Sequence, residues 1–169
     1  RCNPVSRFRT LIASLLLALC SLLAGAQAAW AAPEFPKLTG RVVDAANIIP
    51  DAEEARLTQK LAALEQQSNR QLVVATVPSL QGYEISDYGY QLGRKWGIGQ
   101  KGEDNGALLI VAPNERKVRI EAGYGLEPIL TDGMSFLIIN KEILPRFKKG
   151  DMTGGIEAGA NAIIQQLML

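Results

Sequence analysis

The chain has 169 residues and a formal net charge of +1, with 47% hydrophobic and 21% charged residues; this composition is typical of one ordinary globular domain and excludes a disordered or fibrous protein. It contains no histidine, and its two cysteines, Cys2 and Cys20, both lie within the first 32 residues. The rest of the chain therefore has neither residue type, which excludes histidine- or cysteine-based catalysis, zinc sites with those ligands, histidine-ligated haem and disulfide scaffolds there.

The first 32 residues have the pattern of a secretory signal peptide. Three arginines and no acidic residue precede an uncharged run of 22 residues, Leu11 to Ala32, with a leucine-rich centre. Two sites of the small-x-small type, Ala26-Gln27-Ala28 and Ala29-Trp30-Ala31, predict cleavage that leaves a mature chain beginning near Ala29 or Ala32. We therefore expect an exported protein (periplasmic, lumenal or extracellular), with residues 1–32 as the signal peptide and residues 33–169 as the domain.

Two kinds of membrane anchor are the alternatives to cleavage. An uncleaved signal anchor would use the same uncharged run, since about 20 apolar residues span a bilayer, although the alanine-rich end of the run, with Gln27, is weakly apolar. A lipid anchor on Cys20 is disfavoured because Leu19 precedes it, where such signals usually have a small residue.

The domain without the signal segment is slightly acidic. Residues 1–32 hold three of the 18 basic residues and none of the 17 acidic ones, so residues 33–169 carry a net charge of −2. The local basic cluster of Arg146, Lys148 and Lys149 follows a helical pattern, and cations are favourable at the C-terminal end of a helix. No nucleic-acid partner is expected from this charge distribution.

The domain begins with a predicted strand, helix and strand. Residues 41–44 form a short apolar run that predicts the first strand. Leucines recur at helical spacing up to Asn69, after a capping box formed by Asp51 and Glu54. Residues 71–77 are too apolar for a half-exposed strand, so we expect a central strand that is covered on both faces.

A second helix and a hairpin follow. Apolar residues form one helical stripe over residues 84–96, and Gly89 and Gly93 would allow this helix to approach the sheet closely. Residues 107–112 and 117–122 flank a turn and predict an antiparallel hairpin whose second strand has one solvent-exposed face.

The remainder of the chain is predicted to be helical. Thr131 or Asp132 would cap a helix that runs towards Pro145, and a last helix lies within residues 151–169. This order of elements predicts a single α/β/α sandwich, with a mixed sheet of about four strands and helices on both faces.

Glycine is concentrated in the middle of the domain, where ten of the 16 glycines lie between Gly82 and Gly133. One stretch matches the G-x-G-x-x-G pattern at Gly97, Gly99 and Gly102. A dinucleotide site would need this pattern between a strand and a helix, whereas here it leaves a helix and enters a strand, so no nucleotide is expected. The phosphate-binding loop and the EF-hand pattern fail as well, because their essential lysine and acidic ligands are missing at the required positions.

A second glycine-rich stretch, Gly123-Tyr124-Gly125, would lie at the same sheet end as the first. Asp104, Glu127 and Asp132 could then converge there, with the amide of Asn105 and main-chain carbonyls, as an all-oxygen shell for calcium. The alternative interpretation is purely structural, with a helix cap, turn residues and a solvated charge in place of a metal site.

Several separated motifs, in the same order along the chain, resemble the TPM-domain family, also called YgcG-like. The resemblance covers roughly Phe35 to Leu167 and implies a Rossmann-like α/β/α sandwich that is exported and, in many bacterial members, tethered by a C-terminal transmembrane helix with a glycine-rich tail. No such tail follows within the 169 residues, which leaves open both a protein without that anchor and a chain cut short before it. The motifs are Val43-Asp44, Trp96-Gly97-Ile98-Gly99, Asp104-Asn105-Gly106, Gly123-Tyr124-Gly125-Leu126-Glu127 with Asp132 after it, and Pro145-Arg146-Phe147-Lys148-Lys149-Gly150-Asp151.

The resemblance also implies functions. Members in the thylakoid lumen are described as acid phosphatases linked to photosystem repair, and some members bind calcium through acidic residues near the glycine loops. The matching positions here are Asp44, Asp104, Glu127 and Asp132, with Asn105 beside them.

Three functional hypotheses follow. The first is an exported calcium-binding domain that modulates a membrane protein or membrane-bound complex. The second is a weak metal-assisted acid phosphatase, with Asp104 and Asp132 as candidate catalytic residues. The third is an exposed aromatic binding surface formed by Trp96 and Tyr124.

Overall fold

The computed structural model describes residues 4–24 and 31–169. The chain divides into two compact units, Arg1–Ala32 and Pro33–Leu169. In the first unit, helix α1 spans Pro4–Ala24. Of the residues in the two predicted cleavage sites, only Ala31 lies within the described part of the chain. Within those described ranges, no helix combines the length and the apolar character needed to cross a membrane.

The second unit contains a mixed sheet of four strands in the order β1-β2-β3-β4. The first three strands are parallel, and β4 runs antiparallel to β3, as the sequence predicts. Both faces of β2 and β3 are covered, so the side chains of the two central strands are almost all buried. The strands are β1 (Val42–Asp44), β2 (Gln71–Thr76), β3 (Gly106–Ala112) and β4 (Lys117–Ala122).

Helices pack on both faces of this sheet, which confirms the α/β/α sandwich. On one face, Tyr88 and Leu92 of α3 pack against alternate residues of β2 and β3. On the other face, the buried leucines of α2 and the apolar stripe of α6 pack against the remaining alternate residues. The helices are α2 (Asp51–Ser68), α3 (Ile85–Trp96), α4 (Asp132–Ile138), α5 (Leu144–Lys148) and α6 (Met152–Leu167), with a 3₁₀ turn at Tyr124–Leu126 and a π-helical segment at Ile139–Ile143.

The start of α2 differs from the prediction, since the capping box is wrong. Pro50 is the N-cap residue and no side chain caps the helix. The N–H of Glu54 donates to the carbonyl of Pro50, so Asp51 lies inside the first turn. There its carboxylate, like that of Glu54, is favourable to the helix dipole instead of acting as a cap.

The helical region after β4 begins as predicted and differs from the prediction at Pro145. Thr131 is the N-cap of α4, and its Oγ1 accepts a hydrogen bond of 3.1 Å from the N–H of Met134. The helical conformation does not end at Pro145, because the π-helical segment leads into α5 and the proline lies in the first turn of α5. A proline is tolerated there since a first-turn N–H needs no helical partner.

The two glycines of α3 behave differently. A Cβ on Gly89 would lie 3.5 Å from Cγ2 of Ile110, which confirms the close approach of the helix to the sheet, whereas a Cβ on Gly93 would meet nothing within 4 Å. The expected contact at Gly93 is therefore wrong, because that residue faces a cleft rather than the sheet.

Candidate functional site

The strand register brings the two glycine-rich stretches to the same end of the sheet. Gly106 begins β3 opposite Gln71, and Ala107 pairs with Ala122 at the end of β4. The N–H of Gly123 then donates to the carbonyl of Gly106 over 2.8 Å. The first loop, residues 97–105, and the second loop, residues 123–127, are therefore neighbours, as expected from a hairpin that follows parallel strands.

These two loops touch through their backbones, and glycine makes that contact sterically feasible. A Cβ on Gly123 would collide with the carbonyl of Asp104, and a Cβ on Gly125 with that of Glu103. The N–H of Gly125 donates to the carbonyl of Asp104 over 3.1 Å. Within the first loop, Gly99 has a φ of +90° and a Cβ there would lie 2.6 Å from the backbone nitrogen of Gly106. The glycines therefore serve close backbone packing between the loops.

Asn105 ties the first loop together from inside. Its side chain is buried, with 8% of the residue exposed. Its Oδ1 accepts a hydrogen bond of 2.7 Å from the N–H of Gln100, and its Nδ2 donates to Oε2 of Glu103 over 3.1 Å and to the carbonyl of Asn69. The amide oxygen predicted as a metal ligand is thus engaged in holding the loop.

A large open cleft lies beside these loops, along β4 and between α3 and α4, with a volume of about 1130 Å³. Three of the predicted acidic residues line it: Asp104, Glu127 and Asp132. All three are exposed. Their carboxylates make no hydrogen bond or ion pair within the described part of the chain.

The three carboxylates share a cleft without forming a closed cage. Among residues 4–24 and 31–169, no group of three or more acidic or cysteine side chains lies close enough together to hold one metal ion. Asp104 is itself conformationally unusual, since its φ is +48°, in the left-handed region that aspartate visits more readily than most residues. The loop contacts described above hold it there.

Asp44 is not brought to this cleft. It ends β1 opposite Thr76, at the other end of the sheet from Asp104. Its Oδ1 accepts hydrogen bonds from the N–H of Ile48 and from Oγ1 of Thr76, at 3.1 and 2.6 Å, and its Oδ2 accepts one from the N–H of Ile49 at 2.9 Å. Both carboxylate oxygens therefore stabilise the turn after β1.

Two arginines line the same cleft and were not predicted from the sequence. Arg94 of α3 donates to the hydroxyl of Tyr90 over 2.7 Å, and its guanidinium carbon lies 5.5 Å from the centre of that ring. The hydrogen bond to Tyr90 raises the pKa of Arg94, and a guanidinium is in any case charged at physiological pH. Arg119 of β4 donates to Oε2 of Glu121 over 2.8 Å. For Arg94, the sequence contained one usable signal: Tyr90 and Arg94 are four residues apart and therefore neighbours on the helix face opposite the apolar stripe.

The two aromatic residues of the third hypothesis lie in different environments. Tyr124 is 78% exposed and lines the cleft. Trp96 is half-buried, and its Nε1 donates to the carbonyl of Pro36 over 2.9 Å. Tyr124 therefore shares the cleft with Tyr90, which is 52% exposed, whereas Trp96 does not line it.

Comparisons with known proteins agree on one family. The model of the TPM domain matches residues 42–166. The N-terminal domain of a P. gingivalis protein has 34% sequence identity and a TM-score of 0.72, over 76% of this chain and 82% of that one. The N-terminal domain of a Corynebacterium glutamicum protein has 18% identity and a TM-score of 0.60, over 80% of this chain and 84% of that one. A protein from Bizionia argentinensis has 17% identity and a TM-score of 0.62, over 72% of this chain and 82% of that one, and both structures show the same fold. No curated protein sequence matches the chain.

Proposed function

The chain belongs to the TPM-domain family, and we propose that its functional site is the cleft beside the two glycine loops, where it binds a divalent cation, calcium by preference. The observation that supports this proposal is the presence of three exposed carboxylates, those of Asp104, Glu127 and Asp132, in one cleft. The backbone of Asp104 is held by the contacts with Gly123 and Gly125, so this residue loses little backbone freedom when its carboxylate binds a cation.

The donors in the cleft suit calcium chemically. Calcium takes six to eight oxygen ligands in flexible geometry, and residues 33–169 offer no histidine or cysteine to a softer metal. Since three acidic side chains do not meet at one point within the described residues, one or two carboxylates would act together with main-chain carbonyls and water. Asp104 is the first choice, because the loop contacts at Gly123 and Gly125 position its backbone.

The protein is further proposed to be exported and to act on a membrane protein or membrane-bound complex. The basic and apolar pattern of residues 1–32 supports export. The exposed Tyr124 at the cleft supports recognition of a protein, since tyrosine is enriched at protein interfaces. Fractionation of cells that produce the chain with and without residues 1–32 tests the export step; recovery of both forms in the cytoplasm would contradict it.

Calcium titration tests the metal site directly. We expect saturable binding to the full chain by calorimetry, with amide shifts in NMR spectra confined to residues 97–105 and 123–132. The double variant Asp104→Asn with Asp132→Asn should lose binding by at least tenfold, about 1.4 kcal/mol. The matched control is Asp87→Asn, which removes an exposed aspartate on α3 outside the cleft. Absence of saturable binding, or equal binding by the double variant, would refute the proposal.

Acid phosphatase activity is the second candidate, and the two arginines of the cleft favour it. Arg94 and Arg119 line the same cleft as Asp104 and Asp132, and guanidinium groups bind phosphoryl oxygens well. A protonated aspartic acid would have to supply the proton for the leaving oxygen, which requires an acidic optimum. Hydrolysis of a generic phosphoester should fall in Asp132→Asn and in Arg94→Ala, and turnover that survives both changes would exclude this site as its source.

A further inference from the structure

Strand β4 is an edge strand whose outer backbone groups have no strand partner. In the sheet order it is the last strand and pairs with β3. The N–H of Gly123 donates to the carbonyl of Gly106 of β3. Along an antiparallel strand, the N–H and C=O groups of successive residues point alternately towards one side of the strand and the other. The N–H and C=O groups of Val118, Ile120 and Ala122 therefore point away from β3. No hydrogen bond from elsewhere in the described residues reaches them.

The large cleft follows this open edge. Five consecutive residues of the chain, Arg119 to Gly123, line it. Consecutive residues of a strand direct their side chains to opposite faces, so the feature that the four β4 residues, Arg119 to Ala122, share with the cleft is the edge of the backbone. Tyr90 and Arg94 of α3 border the cleft on one face of the sheet, and Asp132 of α4 borders it on the other.

The two sides of the cleft carry opposite charge. On the α3 side, Arg94 bonds to Tyr90 and has no acidic partner in the described part of the chain, while Arg119 pairs with Glu121. On the α4 side, the charged residues are Glu127 and Asp132, while Lys101 and Asp104, which also line the cleft, belong to the first loop at the end of the sheet. A strand laid along β4 would direct alternate side chains to these two sides, so its acidic residues would meet Arg94 and its basic residues would meet the two carboxylates.

We propose that the cleft binds an extended segment of a partner protein, which adds a fifth strand to the sheet at β4 and carries acidic and basic side chains in alternation. Main-chain hydrogen bonds to Val118, Ile120 and Ala122 supply affinity, and the opposite charges of the two sides select the sequence. The inference rests on the partner-binding part of the proposed function and names the class of partner. The three backbone positions lie outside the proposed metal site, whereas Glu127 and Asp132 would serve both the cation and the partner's basic side chains, so the test is made without calcium.

The test uses the full 169-residue chain in the presence of EDTA and two end-blocked peptides of equal composition. The alternating peptide is Thr-Glu-Lys-Glu-Lys-Glu-Lys-Thr, and the block peptide is Thr-Glu-Glu-Glu-Lys-Lys-Lys-Thr. We expect the alternating peptide to shift the amide signals of Val118, Ile120 and Ala122 and to slow their hydrogen exchange. The block peptide should bind about tenfold more weakly, because several cross-strand charge pairs, each of modest strength, are lost together.

Methylated peptides distinguish strand pairing from simple charge attraction. In an added strand, only every second N–H faces β4. One peptide is methylated at the backbone nitrogens of its three glutamates, and the other at the backbone nitrogens of its three lysines. One of the two peptides should therefore lose binding and the other should retain it. Equal binding by both methylated peptides would overturn the proposal, as would equal binding by the alternating and block peptides.

A protein variant supplies the matching control. Arg94→Glu should weaken the alternating peptide about tenfold, since it replaces an attraction with a repulsion, whereas Lys95→Glu makes the same charge change next to it but outside the cleft and should leave binding unchanged. Peptide binding that requires calcium, or a dimer formed through the same three amides without peptide, would overturn the inference. Peptide binding without any calcium affinity would instead contradict the metal proposal alone.

Discussion

A pair of glycine substitutions in the first loop tests whether the two loops pack as tightly as described. Gly99 and Gly102 have nearly equal backbone angles, with φ of +90° and +87°. A Cβ on Gly99 would lie 2.6 Å from the backbone nitrogen of Gly106 and 3.2 Å from that of Asn105, whereas a Cβ on Gly102 would meet nothing within 4 Å. Alanine at either position therefore carries a similar strain from positive φ, and only alanine at Gly99 adds a collision with main-chain atoms.

The expected magnitudes follow from these two contributions. Placing alanine at positive φ costs about 1–3 kcal/mol at either position, so Gly102→Ala measures this contribution alone. Forcing a methyl group into a packed region costs about 1–3 kcal/mol more, because a backbone neighbour cannot rotate away. We expect Gly99→Ala to be less stable than Gly102→Ala by about 2 kcal/mol, a large share of a total of about 5–15 kcal/mol.

Urea denaturation of the two variants measures this difference. With a slope of about 2 kcal/mol per molar, the midpoint of Gly99→Ala should lie about 1 M below that of Gly102→Ala, with unchanged slopes. Equal midpoints would refute the reasoning, since they would mean that the loop near Gly106 relaxes freely and does not hold Asp104 in place.

Three further substitutions, the first with an exposed residue as its control, probe other structural features. Asp44→Ala should cost about 2–4 kcal/mol, because three donors lose their acceptor. Glu127→Ala, at an exposed carboxylate with a φ of −52°, should change stability by less than about 0.5 kcal/mol; similar urea midpoints would contradict a structural role for Asp44. Asn105→Ala should cost about 1–3 kcal/mol and speed amide exchange in the first loop, and unchanged exchange would count against its bridging role. Burial, with Glu115 adding to it, raises the pKa of Tyr88 above its ordinary value of 10.0. The folded state therefore binds that proton more tightly, and the resulting stability is present below pH 10 and lost as the pH rises through the folded pKa; Tyr88→Phe should decline less steeply in alkaline denaturation, and an identical decline would disprove the assignment.

Much of the fold could be predicted because the information is local. A continuous apolar run predicts a strand covered on both faces, as in residues 71–77, and alternation predicts a strand covered on one face, as in residues 117–122. Apart from the expected contact at Gly93, the errors lie at helix ends, where two backbone conformations compete. Pro50 took the N-cap position in place of Asp51, and the widened π-helical turn at Ile139–Ile143 allowed the chain to continue helically through Pro145.

The candidate site was predictable only in part. The sequence places Asp104 and Glu127 on two loops that a hairpin must bring together, and the register confirms that neighbourhood. It does not distinguish these exposed carboxylates from Asp44, whose oxygens satisfy three donors at the other end of the sheet. Nor does it show that Arg94 would border the same cleft, since that depends on how α3 lies across β4.

The sequence by itself determined the order of the elements, the kind of sheet and the absence of histidine and cysteine from residues 33–169, because periodicity and composition are properties of neighbouring residues. Only the tertiary structure decided which side chains share a cleft. Carboxylates at Asp44 and Asp104 are chemically alike, and their different roles arise from strand register and from backbone contacts between loops that are distant in the chain. The open edge of β4 was likewise decided by the tertiary structure, because a strand is an edge strand only when no other strand pairs with one of its two sides.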